Sequence, residues 1–174
     1  MNSIRSGYEE LGVEGYYKLH NEDYSNPHFY IVRELLQKYI KHNNIGIDIL
    51  DMCCGSGEVT HILKEVNKNF NVEGLDPYTA PAYTKNTGLS CMKYNFMDIL
   101  KGQLINKKYD TIICSFALHL CEETMLNMVL YQLSLIANRL IIITPHKRPE
   151  INSWWEEVYR EKTNKVTLRV YNKI

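Results

Sequence analysis

The stretch Ile49-Leu-Asp-Met-Cys-Cys-Gly-Ser-Gly-Glu-Val-Thr60 decides the fold class of this chain. Its first two residues end the run IGIDIL (residues 45–50), a short isoleucine-rich segment typical of a buried strand. It runs into EVTHILKEV, whose apolar residues recur at helical intervals. Glycines between a strand and a helix let the backbone approach a ligand closely, and the N–H groups at the helix start face that ligand. The stretch therefore predicts a ligand-binding turn.

Strand and helix patterns alternate along the rest of the chain. A second buried strand at Val72–Leu75 closes a βαβ unit. Further strands are predicted at 90–94, 109–115 and 139–144, and the last two have the unbroken apolar character of strands covered on both faces. The clearest helix between them covers 122–137. This alternation predicts an α/β domain with a doubly wound, mostly parallel sheet and helices on both faces.

The two ends of the chain add flanking elements. Residues 26–42 and 149–162 have helical spacing, and the tail KVTLRVY alternates like an edge strand. The length of 174 residues predicts one domain over 1–174. Within it we expect an N-terminal helical lid or cap region at 1–44 and a Rossmann-like core at 45–174.

Composition narrows the function classes. The 20 basic and 20 acidic side chains cancel, which gives no strong signal for nucleic acid or an anionic membrane. The five cysteines form no CxxC pair, so they predict a reducing compartment and no metal site. The N-terminus has no hydrophobic signal core, and no apolar run is long enough for a membrane span. We therefore expect a cytosolic protein with no membrane partner.

Acidic residues around the glycine turn indicate what it binds. Asp76 ends the second predicted strand, where a carboxylate can accept both ribose hydroxyls of an adenosine. A nicotinamide-dependent oxidoreductase would use the same arrangement, but Thr60 stands where the dinucleotide fingerprint requires a third glycine. Asp51 before the turn would also repel a pyrophosphate and attract an amino group. The alternatives are plain turn glycines and a solvated strand end at Asp51.

The whole stretch resembles the first motif of the class I, Rossmann-like S-adenosylmethionine-dependent methyltransferases, which is an acidic residue followed by alternating glycines. Asp51 matches the acidic position, and Cys53, Gly55 and Gly57 match the three glycine positions, with cysteine in place of the first glycine. The segment GLDPY resembles the second motif. That likeness implies that S-adenosyl-L-methionine is the cofactor; its ribose and adenine would be bound by Asp76 and by Pro77 or Tyr78.

Two further segments resemble the later motifs of that family, in the same order. In NFMDI the likeness implies that Asp98 meets the adenine amino group and that Phe96 or Met97 flanks the ring. Asp98 could instead cap the short helix that follows. In YDTIICSFALHL it implies that the chain around Ser115 and Phe116 passes the methionine end of the cofactor.

A base is required for methyl transfer only when the acceptor is protonated at neutral pH. His119 is the candidate, because it follows the fourth predicted strand and should lie at the edge of the sheet where ligands bind. The alternative is a buried histidine bound to a backbone carbonyl.

Aromatic and basic residues outside the four motifs are candidates for contact with the acceptor. Related methyltransferases often have a lid before the first strand, and the tyrosine-rich segment GYYKLHNEDYSNPH supplies possible lid residues: Tyr16, Tyr17, Tyr24 and His28. These could equally anchor an N-terminal helix. The basic loop PHKRP after the fifth strand, which contains His146, could receive an acidic or phosphorylated acceptor or could be a solvated loop.

The family fold usually has seven strands, the last two forming a hairpin, and this chain has room for about one after the fifth. We therefore expect a sheet shortened at the C-terminus, whose trimmed edge a partner subunit or homodimer could complete. The predicted function is transfer of a methyl group to an unidentified acceptor. A small molecule is favoured, since the chain has no Asn-Pro-Pro-Tyr motif and no basic surface signal. The alternatives are a catalytically silent S-adenosylmethionine-binding subunit and an RNA or protein methyltransferase.

Overall fold

A computed structural model describes residues 26–174, which contain five α-helices and seven strands. The helices are α1 (Phe29–His42), α2 (Glu58–Val66), α3 (Ala80–Thr87), α4 (Phe96–Leu100) and α5 (Glu123–Ile136). The strands are β1 (Asp48–Met52), β2 (Asn71–Leu75), β3 (Cys91–Met92), β4 (Tyr109–Ser115), β5 (Ala137–Thr144), β6 (Trp155–Thr163) and β7 (Val166–Lys173). A 3₁₀ turn, Leu118–Leu120, follows β4.

The seven strands form one sheet in the order β3-β2-β1-β4-β5-β7-β6. Strands β1 to β5 are parallel, and β7 pairs antiparallel with both β5 and β6. The prediction of a doubly wound, mostly parallel α/β sheet is confirmed. The strand order reverses direction between β1 and β4, so the loops after these two strands diverge and leave a crevice at the carboxyl edge of the sheet.

Both faces of the sheet are covered. In β5, Leu140 and Ile142 pack into one apolar cluster with α5, while Ile141 and Ile143 pack into another with α1 and α2. Alternate side chains of a strand point to opposite faces, so an unbroken apolar run is what a doubly covered strand requires. This explains why β4 and β5 were recognisable in the sequence.

The C-terminal part of the chain differs from the predicted shortened sheet. The sheet is not shortened, because residues 155–173 supply both strands of the expected hairpin. The helix predicted at 149–162 is wrong: most of that segment is β6. The tail KVTLRVY is β7, an interior strand rather than an edge strand. Because the sheet is not trimmed, its edge gives no structural reason to expect a partner subunit or homodimer there.

The error has a physical cause. The sequence of β6, WEEVYREKT, contains residues with high helix propensity, but pairing with β7 along its length overrides that local preference. A register shift between Glu157 and Tyr159 brings Arg160 onto Glu157, with Nε–Oε1 and Nη2–Oε2 distances of 2.7 and 2.8 Å. Such a pair three residues apart also suits a helix. The charges suit an exposed edge, since they discourage pairing with another chain.

Two sets of predictions remain to be placed. Tyr16, Tyr17 and Tyr24 of the predicted lid lie outside the described residues, whereas His28 lies just before α1. Within residues 26–174, no helix has both the length and the apolar character needed to cross a membrane.

Candidate functional site

Two cavities lie at the carboxyl edge of the sheet and share Cys53. The first is about 630 Å³ and is walled by the loops after β2 and β4 and the start of α4. The second is about 360 Å³ and lies against the glycine turn and the end of β4. Predicted residues lining the first cavity are Cys53, Asp76, Pro77, Tyr78 and Phe96, and those lining the second are Asp51, Cys53, Gly55, Ser115 and Phe116. The structure thus brings nine of the predicted residues together.

The turn between β1 and α2 is built on three left-handed residues. The φ angles are 56° at Cys53, 54° at Gly55 and 98° at Gly57, which are the three positions matched to glycines in the sequence. Gly57 is also the N-cap of α2 and leaves that helix without a side-chain cap. Cys53 adopts this conformation at a cost of about 1–2 kcal/mol relative to glycine. The turn is therefore held in an uncommon conformation that exposes backbone to the second cavity.

Asp51 is fixed by a buried chain of hydroxyl groups. Its side chain is at the end of β1 and is 1% exposed. Its Oδ2 accepts hydrogen bonds from the backbone N–H of Thr60 at 3.1 Å and from the Thr60 hydroxyl at 2.7 Å. The Thr60 hydroxyl lies 2.9 Å from the hydroxyl of Tyr83. Burial raises the pKa of Asp51 from 3.8 to about 7, against the lowering effect of the two Thr60 hydrogen bonds.

Asp76 is fixed by backbone amides at the end of β2. It is 6% exposed, and its Oδ1 accepts hydrogen bonds from the N–H groups of Tyr78 at 2.8 Å and Thr79 at 3.1 Å. Its Oδ2 faces the glycine turn, with the Gly55 N–H at 3.3 Å. Burial raises the pKa of Asp76, although these donors oppose the shift. The amides hold the carboxylate against both the turn and the first cavity.

The third motif forms the start of α4 and part of the wall of the first cavity. Asp98 accepts a hydrogen bond from the Asn95 N–H at 3.0 Å while the Asn95 side chain accepts one from the Asp98 N–H, so the pair forms a capping box at α4. Asp98 thus takes part in capping this helix, as the alternative proposed, but as the N3 residue, while Asn95 is the N-cap. Neither Asp98 nor Met97, which is 42% exposed, lines the first cavity, whereas Asn95 and Tyr94 do.

The fourth motif lies at the second cavity. Ser115 ends β4, and Phe116 follows it with a left-handed φ of 58°. The ring of His28 stacks on Phe116, with a centroid distance of 5.5 Å and an interplanar angle of 27°. His28 therefore lies beside this end of the site, although it does not itself line the cavity.

His119 lies on the 3₁₀ turn after β4, between Ala117 and Leu120, both of which line the first cavity. Its ring centroid is 4.2 Å from that of His146, which follows β5. Burial, together with His146, lowers the pKa of His119 to about 4, so its imidazole is neutral at pH 7. Its Nδ1 is buried and has no hydrogen-bond partner within residues 26–174. The alternative of a histidine bound to a backbone carbonyl is not what these residues show.

Sequence reasoning missed several residues of the site. Thr60 was noted only because it is not glycine, yet its two hydrogen bonds orient Asp51. Tyr83 completes the hydroxyl chain from α3, and Gly74 of β2 makes room for its ring, since an added Cβ would lie 2.6 Å from it. Asn95 had a recognisable signal, because asparagine is a favoured N-cap. For Tyr83 no local pattern existed.

The donor set suits an organic ligand. Across the part of the chain that the structure describes, no group of three or more His, Cys, Asp or Glu side chains is placed to hold a metal ion. The cavities instead offer buried carboxylates, a backbone turn and an apolar wall that includes Pro77, Tyr78 and Phe96. Gly55 supports this fit, because a Cβ added there would meet no atom within 4 Å and would occupy open space at the turn.

Comparisons with known proteins place the fold. No protein-family model matches the chain. Magnesium protoporphyrin IX methyltransferase (ChlM) from Synechocystis, solved with bound SAM, superposes with a TM-score of 0.64 at 17% identity, over 97% of this chain and 93% of that chain. A protein from Pyrococcus horikoshii gives 0.67 at 16% identity, over 99% and 100%. An rRNA methylase from Escherichia coli gives 0.61 at 11% identity, over 97% and 73%.

At these identities the likeness concerns the fold, which is the class I methyltransferase fold indicated by the four motifs. In sequence, the chain is 32% identical to an uncharacterized protein of Schizosaccharomyces pombe over an alignment of 195 residues, covering 88% of this chain and 78% of the yeast protein. The chain belongs to the same family as that yeast protein.

Proposed function

We propose that this protein is an S-adenosylmethionine-dependent methyltransferase. The observation that carries the proposal is the pair of buried carboxylates, Asp51 and Asp76, on either side of a left-handed glycine turn at the switch point of the sheet. Beyond Asp76 lies an apolar cavity of a size suited to an adenine ring. Methyltransferases among its structural neighbours act on different substrates by name, a porphyrin in one case and rRNA in another.

The residues present fit this cofactor. Asp76 would accept the ribose hydroxyls, and Pro77, Tyr78 and Phe96 would flank the adenine. Asp51 would face the amino group of the methionine end, near the backbone of Gly55. When bound, the cofactor supplies a methyl group already activated by the positive charge on sulfur.

The protein's own task is to align the acceptor, exclude water and, where the acceptor is protonated, remove a proton. His119 fits the last role because its ring is neutral at pH 7 and lies beside residues that line the first cavity. His146 lies next to it and is exposed.

A small-molecule acceptor and a cytosolic location are parts of the same proposal. The balanced charge of the chain supports the first, since extended basic surfaces mark most nucleic-acid binders. All five cysteines are free thiols, which supports a reducing compartment.

The proposal is tested by incubating the purified protein with cell extract and S-adenosylmethionine tritiated on the methyl group, then separating small-molecule, RNA and protein pools. We expect label in the small-molecule pool and little label with an Asp76→Asn variant. Cofactor binding without transfer into any pool would instead support a silent cofactor-binding subunit. Label confined to RNA or protein would overturn the choice of acceptor but not the activity.

Substitution of the two turn glycines by alanine should have different effects on cofactor affinity and on stability. In Gly55→Ala the new Cβ projects into open space at the second cavity, so we expect a cost of about 1 kcal/mol in folding stability and at least a roughly tenfold loss of cofactor affinity. In Gly57→Ala the Cβ would lie 2.4 Å from Thr87 Cγ2, so the free energy of unfolding should fall by about 2–3 kcal/mol. Urea denaturation and calorimetric titration separate the two. Equal loss of stability in both variants would contradict this assignment.

The pH dependence of cofactor binding should report Asp51. Its folded pKa is raised, so the stability this group contributes is present below about pH 4 and is lost as the pH rises through about 7. A cationic ligand binds the ionised form, so affinity for S-adenosylmethionine should rise about tenfold from pH 6 to pH 8. Calorimetry in buffers of different ionisation enthalpy should detect proton release at pH 6. An Asp51→Asn variant should bind weakly with a flat profile, and an unchanged slope in that variant would rule Asp51 out.

A further inference from the structure

A third cavity lies outside the cofactor site, between the loop after β5 and the β6–β7 hairpin. This groove is about 1130 Å³ and shares no lining residue with the two cavities of the candidate site. His146 lines it, and the His146 ring lies 4.2 Å from that of His119. A ligand in the groove would therefore reach the site at the residue proposed as base.

Arg169 lines the groove and is unusual in its partners. It lies in the middle of β7, is 4% exposed, and donates one hydrogen bond from Nη1 to the carbonyl oxygen of Pro149 at 3.0 Å. Its Nε and Nη2 are buried and have no hydrogen-bond partner within the described range. A guanidinium stays charged at any physiological pH, and leaving its N–H groups unpaired away from water is costly. The N–H groups on these atoms therefore require a hydrogen-bond acceptor, and none of the described residues provides one.

The surrounding charges do not neutralise Arg169. The Arg169 charge helps to lower the pKa of Glu157. Both carboxylate oxygens of Glu157, however, accept hydrogen bonds from Arg160, at N–O distances of 2.7 and 2.8 Å. Lys147, Lys162 and Lys165 also line the groove and form no ion pair with residues 26–174. Two acidic side chains, Glu150 and Glu157, line the groove against five lysines and arginines, so the groove is basic although the chain as a whole has no net charge.

We infer that this groove binds an oxyanion of the methyl acceptor, a phosphate monoester or a carboxylate, with Arg169 as its fork and Lys147 and Lys165 beside it. A guanidinium matches either group through two parallel N–H···O bonds. One buried guanidinium suits a single terminal anion on a small molecule. A protein that binds a nucleic-acid backbone instead presents an exposed row of basic residues along it. The inference rests on the proposed function only in assigning the anion to the acceptor.

Anion binding itself is tested by titrating inorganic phosphate into the full chain at constant ionic strength, with chloride as the comparison. Saturable phosphate binding is expected, and Arg169→Gln should weaken it about tenfold or more, because charge-assisted hydrogen bonds are lost. Because Arg169 is buried, a double variant of the exposed Lys147 and Lys165 to alanine provides a second test and should weaken binding several-fold. Arg148→Ala is the matched control, since Arg148 neighbours Lys147 but pairs with Glu123 on α5.

Phosphate acting no differently from chloride, or equal loss in the Arg148 control, would overturn the site. The source of the anion is tested on the tritiated products from extract. Retention on an anion exchanger that phosphatase abolishes identifies a phosphate monoester, and retention that survives phosphatase identifies a carboxylate. Neutral products, or label only in RNA, would overturn the assignment to a small acidic acceptor. Failure to bind S-adenosylmethionine would contradict the proposed function, but it would not affect the test of phosphate binding in the groove.

Discussion

Replacement of Asp76 by asparagine should lower the affinity for S-adenosylmethionine by about a hundredfold, because two hydrogen bonds from ribose hydroxyls to a carboxylate are worth about 1.5–3 kcal/mol each. An amide has one acceptor oxygen and cannot take both hydroxyls as the carboxylate does. That remaining oxygen can still accept from the N–H groups of Tyr78 and Thr79, so the start of the following helix should be retained. Calorimetric titration gives the affinity, and urea denaturation gives the stability.

Asp48→Asn is the matched control for this substitution. Asp48 begins β1 at the opposite edge of the sheet and is exposed, and its carboxylate accepts a hydrogen bond from Asn71. We expect its cofactor affinity to remain within about twofold of the wild type, since exposed pairs contribute little. Equal affinity in the Asp76 variant and this control would show that the ribose is bound elsewhere.

Replacement of His119 by glutamine should reduce turnover by about a hundredfold and leave cofactor affinity unchanged, the range typical for loss of a general base. The reason is that the His119 ring is neutral over the physiological range and lies beside residues that line the first cavity. With S-adenosylmethionine saturating, so that the titration of Asp51 does not enter, the acid limb of the kcat/KM profile for the acceptor should lie near pH 4, because the pKa of His119 is about 4. That profile should be flat from about pH 5 upward. Initial rates with the labelled acceptor at several pH values measure both effects.

His61→Gln provides the comparison, because His61 is exposed on α2 and does not line either cavity of the site. It should retain full turnover. A wild-type acid limb at pH 6.5 that persists in the His119 variant would assign the titration to a different group. Unchanged turnover in that variant would mean that the acceptor is already deprotonated when it binds.

The parallel half of the sheet was predictable because each of its strands is defined locally. The isoleucine-rich runs at β1, β4 and β5 are buried on both faces, and their shortness and their β-branched residues separate them from the helices. The segment that became β6 has no such pattern. Its charged residues suit a helix, and only the ladder to β7, which is formed after the chain has turned back, makes it a strand.

The candidate site divides in a similar way. Asp51, Gly55 and Asp76 were found because each lies at a fixed place relative to a strand end, and parallel strands end at one edge. Thr60, Tyr83 and Arg169 act through contacts between distant segments. The hydroxyl chain from Asp51 to Tyr83 and the unpaired guanidinium in the groove exist only after packing.

The cofactor assignment is tested most directly by calorimetric titration of the full chain with S-adenosylmethionine, beside a parallel titration with NADH followed by fluorescence. We expect saturable, one-to-one binding of S-adenosylmethionine that is weakened about a hundredfold in the Asp76→Asn variant, and no binding of NADH. Absence of binding at millimolar S-adenosylmethionine, or preferential binding of NADH, would contradict it.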